Sequence, residues 1–442
     1  MTEPNDQLTP EPAKTPPPVP ADTSAQTTTG NTTEKTAEKA AASAEAGSGK
    51  AQQILREITT GPGLISVLAV VLALIVGALL IILTDANVAK SAGYFFSRPG
   101  DTFSAAWKAV SEAYGALIQG ATFNPSSRTA TGKFGIMETL TQATPLILAG
   151  LSVTVAFRAG LFNIGAKGQI ILGAIFAGGI GFGADLPPVV HLLLVIVGGA
   201  VGGAIWGGVV GLLKARTGAH EVIVTIMLNY IAQYFLDFLL RTAYKSPGGE
   251  QPISAPVGPN AMFPPLFGDT FRVNYGLIMA IIAVILVAWL INRSTLGFEL
   301  RAIGANQNAA RTAGMLIGKG YILVMAIAGA LAGLAGVAQL SGTEGSLDGD
   351  VAGSIGFDAI TVALLGRSTP WGTFFAALLF GAFKAGGQSM AVQAGLSIDI
   401  VLVIQSLIVL FIAAPPLVRG IFGLGRTKRQ RKVEASKEQV AA

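Results

Sequence analysis

Long apolar blocks, separated by short polar breaks, run from about residue 64 to about residue 414. Because lipid offers the backbone no hydrogen-bond partners, an apolar block of about 20 residues crosses a bilayer as an α-helix. The pattern therefore predicts an all-α integral membrane fold with about ten transmembrane helices. The predicted spans are residues 64–83, 139–157, 164–183, 189–213, 222–240, 275–291, 321–340, 355–365, 373–390 and 398–414.

The eighth predicted span, residues 355–365, is shorter than the others. A half-helix or re-entrant segment of this length is tolerated only inside protein or beside a polar cavity. Two long polar segments, residues 84–136 and 241–274, separate other spans, and the first predicts an interfacial helix over residues 103–118. A short span beside a polar cavity indicates transport.

The chain divides into three predicted parts, of which residues 61–418 form the transmembrane domain. Residues 1–60 predict a disordered cytoplasmic tail, because their Pro, Thr, Ala, Glu and Lys cannot bury enough apolar surface to offset chain entropy. Residues 419–442 predict a basic cytoplasmic tail. Loops with Lys214, Arg301 and Arg367 share one side, which predicts that this side and both termini are cytoplasmic.

Composition excludes several functions. Hydrophobic residues make up 51% of the chain and charged residues 12%, about half the roughly 25% of a soluble domain. With no cysteine and two histidines, the chain offers no disulfide, thiolate ligand or catalytic zinc set, so we expect neither an enzyme nor a cofactor. The C-terminal basic cluster is interpreted as a topology anchor beside the membrane, with no nucleic acid as partner. Glycine pairs inside the apolar blocks, such as 202–203, predict close helix packing.

The segment GLFNIGAKGQ, from Gly160 to Gln169, joins the second and third predicted spans. Its three glycines permit a sharp reversal of the chain and close packing. The side chains of Asn163 and Gln169 can satisfy the backbone groups that such a reversal frees. From these residues alone, an ordinary glycine turn and a functional element are equally open.

The segment GFELRAIGANQNAARTAG, from Gly297 to Gly314, lies in the basic loop between the sixth and seventh spans. It predicts a short helix from about Asn308 to Met315, preceded by a glycine turn. A small, alanine-rich helix on the cytoplasmic side suits docking into a groove on a partner protein. An interfacial connector with positive-inside arginines is the alternative.

A third segment, from Gly356 to Arg367, places Asp358 at the mouth of the short span. An ionisable side chain is costly there unless it is hydrated or paired. A pore-lining or gating role is one interpretation, and a cap on the start of the helix is the other.

Polar side chains also occur within the longer spans. Asn229, Gln233 and Asp237 share one face of the fifth span at four-residue spacing. Gln388 and Gln405 are isolated polar groups in the last two spans. These groups suit a polar pathway for a hydroxyl-rich solute, or hydrogen bonds between helices.

Together, the three segments resemble permeases of the bacterial ABC importer family that includes the ribose, galactose, branched-chain amino acid and nucleoside systems. The likeness is greatest to the nucleoside branch, of purine nucleoside or guanosine type, whose members carry a segment similar to Phe162 to Gln169. That branch usually has glutamate where this chain has Lys167, which reverses the charge. The resemblance extends over about residues 60–420.

The resemblance implies a permease that imports nucleosides or related small solutes by alternating access across the cytoplasmic membrane of a bacterium. The partners it implies are a cytoplasmic ATPase subunit that hydrolyses ATP, an extracytoplasmic solute-binding protein, a second related permease in a heterodimer, and membrane lipid. The ATPase would dock on a coupling segment that includes Gly304, Asn306, Ala309, Ala310, Arg311 and Gly314. The predicted pathway or gating residues are Asn163, Gln169, Asn229, Gln233 and Asp358.

Two other transport functions stay open. A monosaccharide importer of ribose or galactose type belongs to the same family and differs in its solute. An ion-coupled secondary transporter would need functional acids inside the membrane and an inverted repeat. Few acids lie in the spans beyond Asp237 and Asp358, and the sequence shows no convincing repeat.

Overall fold

The computed structural model describes residues 62–125, 127, 129–183, 186–246, 248 and 251–422. The predicted disordered tail over residues 1–60 lies outside this part of the chain, as does the predicted basic tail after residue 422. From Pro62 onward the described residues belong to one unit.

Sixteen α-helices make up most of the described part of the chain. In order they are α1 Pro62–Thr84, α2 Ala86–Ala92, α3 Pro99–Ala121, α4 Ala130–Lys133, α5 Gly135–Arg158, α6 Ala166–Gly181, α7 Pro188–Thr217, α8 Glu221–Arg241, α9 Gly276–Arg293, α10 Thr295–Ala305, α11 Gln307–Thr312, α12 Ile317–Gln339, α13 Ile355–Leu365, α14 Pro370–Ala394, α15 Ile398–Ala413 and α16 Pro415–Ile421. A π-helical turn, Leu340–Glu344, extends α12.

Each of the ten predicted spans has an apolar helix at its position. Six helices, α5, α7, α8, α9, α12 and α14, are long and apolar enough to cross a membrane by length and composition. Among the described residues, Val70–Thr84 of α1 and Ala86–Ala92, which meet at a bend of 70°, pass the same test only when they are taken together. The other three helices, α6, α13 and α15, have 16, 11 and 16 residues. The predicted all-α, multi-pass fold with one short span is confirmed.

A seam of glycines joins α7 to α12 in the most extensive helix packing of the fold. An added Cβ at Gly203 would lie 2.1 Å from the Gly329 carbonyl oxygen, and one at Gly333 would lie 2.2 Å from the Gly199 carbonyl oxygen. The backbones therefore touch at these positions, where any side chain would separate the helices. The same seam continues to α6, because an added Cβ at Gly173 would lie 2.3 Å from the Gly333 Cα atom. The predicted close packing is confirmed.

At one end of the bundle the end of α5 meets the end of α10 beside α11, and we call this the α11 end. An added Cβ at Gly304, near the end of α10, would lie 2.5 Å from the Arg158 carbonyl oxygen at the end of α5. The opposite end carries residues 251–275, which fold back over the ends of α6 and α12. There the Val257 N–H donates to the Gly345 carbonyl at 2.7 Å, and the Asn274 side chain donates to the Gly342 carbonyl at 2.7 Å.

Two helices differ from the expectation drawn from the sequence. The interfacial helix expected over residues 103–118 is present as the longer α3, which packs against α14. Residues around Gly297 and Gly304, where a glycine turn was expected, instead form the 11-residue helix α10. An added Cβ at Gly297 would strike the Leu290 carbonyl oxygen, so this glycine serves close packing and not a turn. The Ser294 hydroxyl caps the start of α10 by accepting from the Gly297 N–H at 2.9 Å.

Candidate functional site

A polar cavity of about 460 Å³ lies in the half of the bundle away from α11. Its walls come from the first half of α5, the end of α12, the segment before α13, the second half of α14 and the first half of α15. The volume falls within the range of about 300–1,000 Å³ that small-molecule sites occupy. No aromatic side chain occurs among the described residues that line it. Its polar lining, apart from acids, consists of Gln142, Gln339, Ser354, Lys384, Gln388 and Gln405.

An ion pair between α13 and α14 lies at this cavity. The Lys384 ammonium contacts an Asp358 carboxylate oxygen at 2.9 Å and donates to the Ser354 hydroxyl at 3.0 Å. The Ser354 hydroxyl in turn donates to the same carboxylate at 2.7 Å. The side chains of Lys384 and Asp358 are only 20% and 15% exposed. A charge inside a membrane protein is costly when it is alone, so each of these charges stabilises the other.

Three acids line the cavity near its outer part. Glu344 and Asp350 are exposed, and Asp348 is half-buried. The Glu344 carboxylate accepts a hydrogen bond from the Gln339 amide at 2.9 Å. Because Lys384 is the one basic residue among the described residues of the lining and is paired with Asp358, the three acids leave the lining with a net negative charge.

Hydrogen bonds between fully buried amide side chains, which we call the amide knot, hold the break between α5 and α6 in place. The Asn163 side chain donates to the Gln169 amide oxygen at 3.0 Å and to the Ser152 hydroxyl at 3.3 Å. Its own oxygen accepts from the Gly165 N–H at 3.1 Å and from the Gln169 amide at 3.2 Å. Both Asn163 and Gln169 are 0% exposed. In this conformation they satisfy groups that the break frees, as their side-chain chemistry predicts.

The polar face of α8 turns inward, towards this break. The Asn229 amide accepts from the Gly168 N–H at 2.8 Å and donates to the Ile164 carbonyl at 2.9 Å. Further along the same face, the Gln233 amide donates to the Gly349 carbonyl at 2.7 Å. The face predicted from four-residue spacing thus binds backbone groups of two irregular segments, the α5–α6 break and the chain before α13.

The helices between the cavity and the α11 end pack tightly. An added Cβ at Gly150 on α5 would lie 2.8 Å from the Thr373 side chain and 2.9 Å from that of Val362. The hydroxyls of Thr154 and Thr373 are hydrogen-bonded at 2.7 Å and buried. These contacts pack α5, α13 and α14 closely against one another between the cavity and α11.

The turn between α13 and α14 lies at the α11 end and is strained. Arg367 and Ser368 have φ of 52° and 49°, in the left-handed region that disfavours residues other than glycine. The Ser368 N–H donates to the Ala363 carbonyl at 2.8 Å, and the Ser368 carbonyl accepts from the Arg158 guanidinium at 2.6 Å. The end of α5 therefore holds this turn in place.

The helix α11 stands on the surface of its end of the bundle. Asn306 caps it, because the Asn306 side chain accepts from the N–H groups of Asn308 and Ala309 at 3.0 Å each. Ala309 is exposed, whereas Ala310 is buried. Gly314, with a φ of +82°, reverses the chain after the helix. The short helix expected from about Asn308 to Met315 is thus present, starting one residue earlier and ending three residues earlier.

A charged cluster lies beside α11. The Lys214 ammonium contacts the Glu221 carboxylate at 2.5 Å and lies 5.3 Å from the centre of the Tyr321 ring. Lys214 and Tyr321 also line a small cavity of about 330 Å³ together with Gln307 and Arg311 of α11. This cluster ties the facing ends of α7, α8 and α12 to α11.

The family to which the chain belongs is shown by comparison with known proteins. Residues 135–413 match the family described as branched-chain amino acid transport system / permease component. The chain belongs to this family. The guanosine ABC transporter permease protein NupP of Bacillus subtilis is 36% identical over 365 residues, which cover 81% of this chain and 95% of the relative.

Two further relatives are named for different solutes. The nucleoside ABC transporter permease protein NupB of Lactococcus lactis is 37% identical over 315 residues, covering 69% of this chain and 85% of the relative. The glucose ABC transporter permease protein TsgB13 of Haloferax volcanii is 38% identical over 293 residues, covering 64% and 77%. The predicted resemblance to ABC permeases, including those of nucleoside type, is confirmed. The chain is a multi-pass membrane permease.

The structure separates the predicted site residues into groups. Asn163, Gln169 and Asn229 meet at the α5–α6 break, Gln233 binds the chain before α13, and Asp358 pairs beside the cavity. The predicted coupling residues lie together around α11. The prediction that these residues serve gating or coupling stays a prediction. Lys384 was not among the predicted site residues. The signal that could have identified it is a lysine inside an apolar span, the one observed as α14.

Proposed function

We propose that this chain is the membrane-spanning subunit of an ABC importer for nucleosides. The observation that carries the proposal is the identity of 36% to a guanosine permease across 95% of that relative's length. The second nucleoside relative, with 37% identity, supports the same solute class. Under this proposal ATP is hydrolysed on a separate cytoplasmic subunit, and a solute-binding protein delivers the nucleoside from outside.

The polar cavity supports a transport role for the opposite half of the bundle. Its amides, hydroxyl and acids can exchange hydrogen bonds with a hydroxyl-rich solute, and it lacks an aromatic wall on which a base would stack tightly. A weakly binding pathway suits a permease whose binding protein supplies the affinity. Under this proposal, the close packing of α5, α13 and α14 between the cavity and α11 separates the two sides of the membrane in one state of an alternating-access cycle.

The α11 end is the side that we assign to the cytoplasm and to the ATPase. Arg158, Lys214, Arg311 and Arg367 lie at this end, and an excess of basic residues marks the cytoplasmic side of a membrane protein. The α11 helix, which the Asn306 side chain caps, exposes Ala309 at this end. With both termini on this side, ten crossings return the chain to the cytoplasm. A second, related permease completes the importer as a heterodimer.

The test is uptake of labelled guanosine by bacteria that carry or lack this gene together with its ATPase and binding protein. We expect uptake only in cells that carry all of these genes, inhibition by unlabelled nucleosides, and no inhibition by glucose or ribose. Depleting ATP should stop uptake, whereas dissipating the ion gradients at constant ATP should not. Competition by glucose but not by nucleosides would contradict the proposed solute and favour the sugar alternative that the glucose relative represents.

The coupling role of α11 is tested by Ala309→Glu. Because Ala309 is exposed, a glutamate there should leave the folded protein intact while its charge and size disturb the docked ATPase. We expect uptake to fall by more than tenfold at an unchanged level of protein in the membrane. Thr217→Glu, at an exposed position at the same end of the bundle, is the matched control and should retain uptake. Normal uptake in the Ala309 variant would refute the coupling assignment.

A further inference from the structure

An amide oxygen without a hydrogen-bond partner belongs to a residue that lines the polar cavity. Gln405 on α15 lines the cavity, is 5% exposed, and its side-chain oxygen has no hydrogen-bond partner among the described residues. Buried polar groups are nearly always hydrogen-bonded, because an unpaired one loses its bonds to water without replacement. An amide left free beside a cavity therefore indicates a ligand that completes it.

A second group in the same cavity has bonding capacity left. The Lys384 ammonium has three donors, and the described contacts use two of them, one to Asp358 and one to Ser354. Its charge is matched by the Asp358 carboxylate, so it acts towards a solute as a hydrogen-bond donor with little net charge. Lys384 and Gln405 lie on the consecutive helices α14 and α15 and line one cavity.

The charges of the cavity restrict the solute to one without negative charge. Glu344, Asp348 and Asp350 line it, and its one basic residue, Lys384, is already neutralised. A phosphate group would meet repulsion from all three acids. A solute suited to this lining carries no negative charge and presents a hydrogen-bond donor next to an acceptor.

We propose that Lys384 and Gln405 bind the base of the transported nucleoside, and that the base is a purine of guanine type. The edge of guanine presents two acceptors, O6 and N7, to which a lysine donates in protein–DNA complexes. The Gln405 amide oxygen accepts from an N–H of the same base. This assignment rests on the proposed import of nucleosides and names the residues of this chain that read the solute.

The experiment measures initial uptake of guanosine and of 7-deazaguanosine, which lacks the N7 acceptor, in cells with the complete importer. The variants are Gln405→Leu, Gln405→Glu and Lys384→Gln, each normalised to the amount of permease in the membrane. Lys384→Gln keeps a donor for the Asp358 carboxylate. Gln393→Leu is the control, because Gln393 is exposed on α14, bonds Ser389 and does not line the cavity. The binding protein is the same in every strain, so a changed ratio of the two uptake rates belongs to the permease.

We expect Gln405→Leu to import guanosine about tenfold more slowly, and Gln405→Glu, which keeps an acceptor oxygen, to import it faster than Gln405→Leu. Lys384→Gln should reduce the ratio of guanosine to 7-deazaguanosine uptake about tenfold, as the loss of one such base contact predicts. Gln393→Leu should match the wild type in both measurements. If the wild type imports guanosine and all the cavity variants keep its rates and ratio, the base-binding assignment is overturned and the proposed function stands. If the wild type imports no nucleoside, the proposed function itself fails.

Discussion

The glycine seam between α7 and α12 makes a sharp prediction about stability. Gly203→Ala adds one methyl group at a position where its Cβ would lie 2.1 Å from the Gly329 carbonyl oxygen and 2.8 Å from the Gly333 Cα atom. Both neighbours are backbone atoms, which no change of rotamer can move away. The helices must therefore separate to accept the methyl group.

The size of the effect follows from this geometry. Ordinary contact of a Cβ begins at 3.4 Å, so the 2.1 Å distance falls short by roughly 1.3 Å. Separating the helices by that amount also weakens the neighbouring contact between Gly207 and the Met325 carbonyl oxygen, where an added Cβ would again lie at 2.1 Å. Overpacking costs about 1–3 kcal/mol, and the rigid neighbours place this site at the upper end, about 3 kcal/mol. Because the unfolding entropy grows with chain length, 442 residues give roughly 1–1.5 °C per kcal/mol, and the midpoint of thermal unfolding should fall by about 3–4.5 °C.

The assay is thermal unfolding of the purified protein in a mild detergent, followed by size-exclusion chromatography of the fraction that stays monodisperse. Gly208→Ala is the matched control on the same helix, because its nearest neighbour would be the Ala326 Cβ at 4.0 Å. We expect Gly208→Ala to match the wild type within about 1 °C, since an added methyl group meets no close neighbour there and changes of that kind are usually within ±0.5 kcal/mol. Equal midpoints for the two variants would refute the claim that the α7–α12 backbones are in contact.

Two further predictions concern buried hydrogen bonds. Asn163→Ala leaves the Gln169 amide and the Gly165 N–H without partners, so the free energy of unfolding should fall by about 1–3 kcal/mol. The same thermal assay measures this loss, and an unchanged midpoint would contradict the buried hydrogen bonds of Asn163. Thr154→Val should cost about 1 kcal/mol by removing the bond to Thr373. The double replacement of both threonines by valine should cost less than the sum of the single replacements, and strict additivity would show that the two hydroxyls do not interact.

The positions of the spans could be predicted from the sequence because the constraint that sets them acts on each segment separately. A helix in lipid must satisfy its backbone internally, so the apolar block alone sets its bounds. Residues 355–365, the short eighth span, are found as α13 with the same bounds, and residues 222–240 as Glu221–Arg241. Glycine is the exception, because it allows both turns and close packing. For that reason a glycine turn was expected before the short helix α11, where the structure has the helix α10 with Gly297 and Gly304.

The residues that line the site depend on which helices pack together, and helix packing could not be predicted from the sequence. Asp358 could be identified as a costly charge that needs a partner, but its partner Lys384 lies 26 residues away on another helix. Asn163 and Gln169 could be assigned to the broken segment, whereas their exclusion from the cavity follows from the packing of α5 and α6. Gln405 stood out as a polar residue in an apolar span, and only the structure shows that its oxygen is unpaired.

The α5–α6 break connects the α11 end to the cavity through contacts between backbones. An added Cβ at Gly160 would lie 3.0 Å from the Cα atom of Gly304, at the end of α10, and one at Gly356 would lie 2.6 Å from the Cα atom of Lys167, at the start of α6. Hydrogen bonds of the Asn163 side chain hold the segment between these two contacts. Asp358, in the same first turn of α13 as Gly356, pairs with Lys384 at the cavity. The fold therefore places one continuous set of close contacts between the surface assigned to the ATPase and the side chains assigned to the solute.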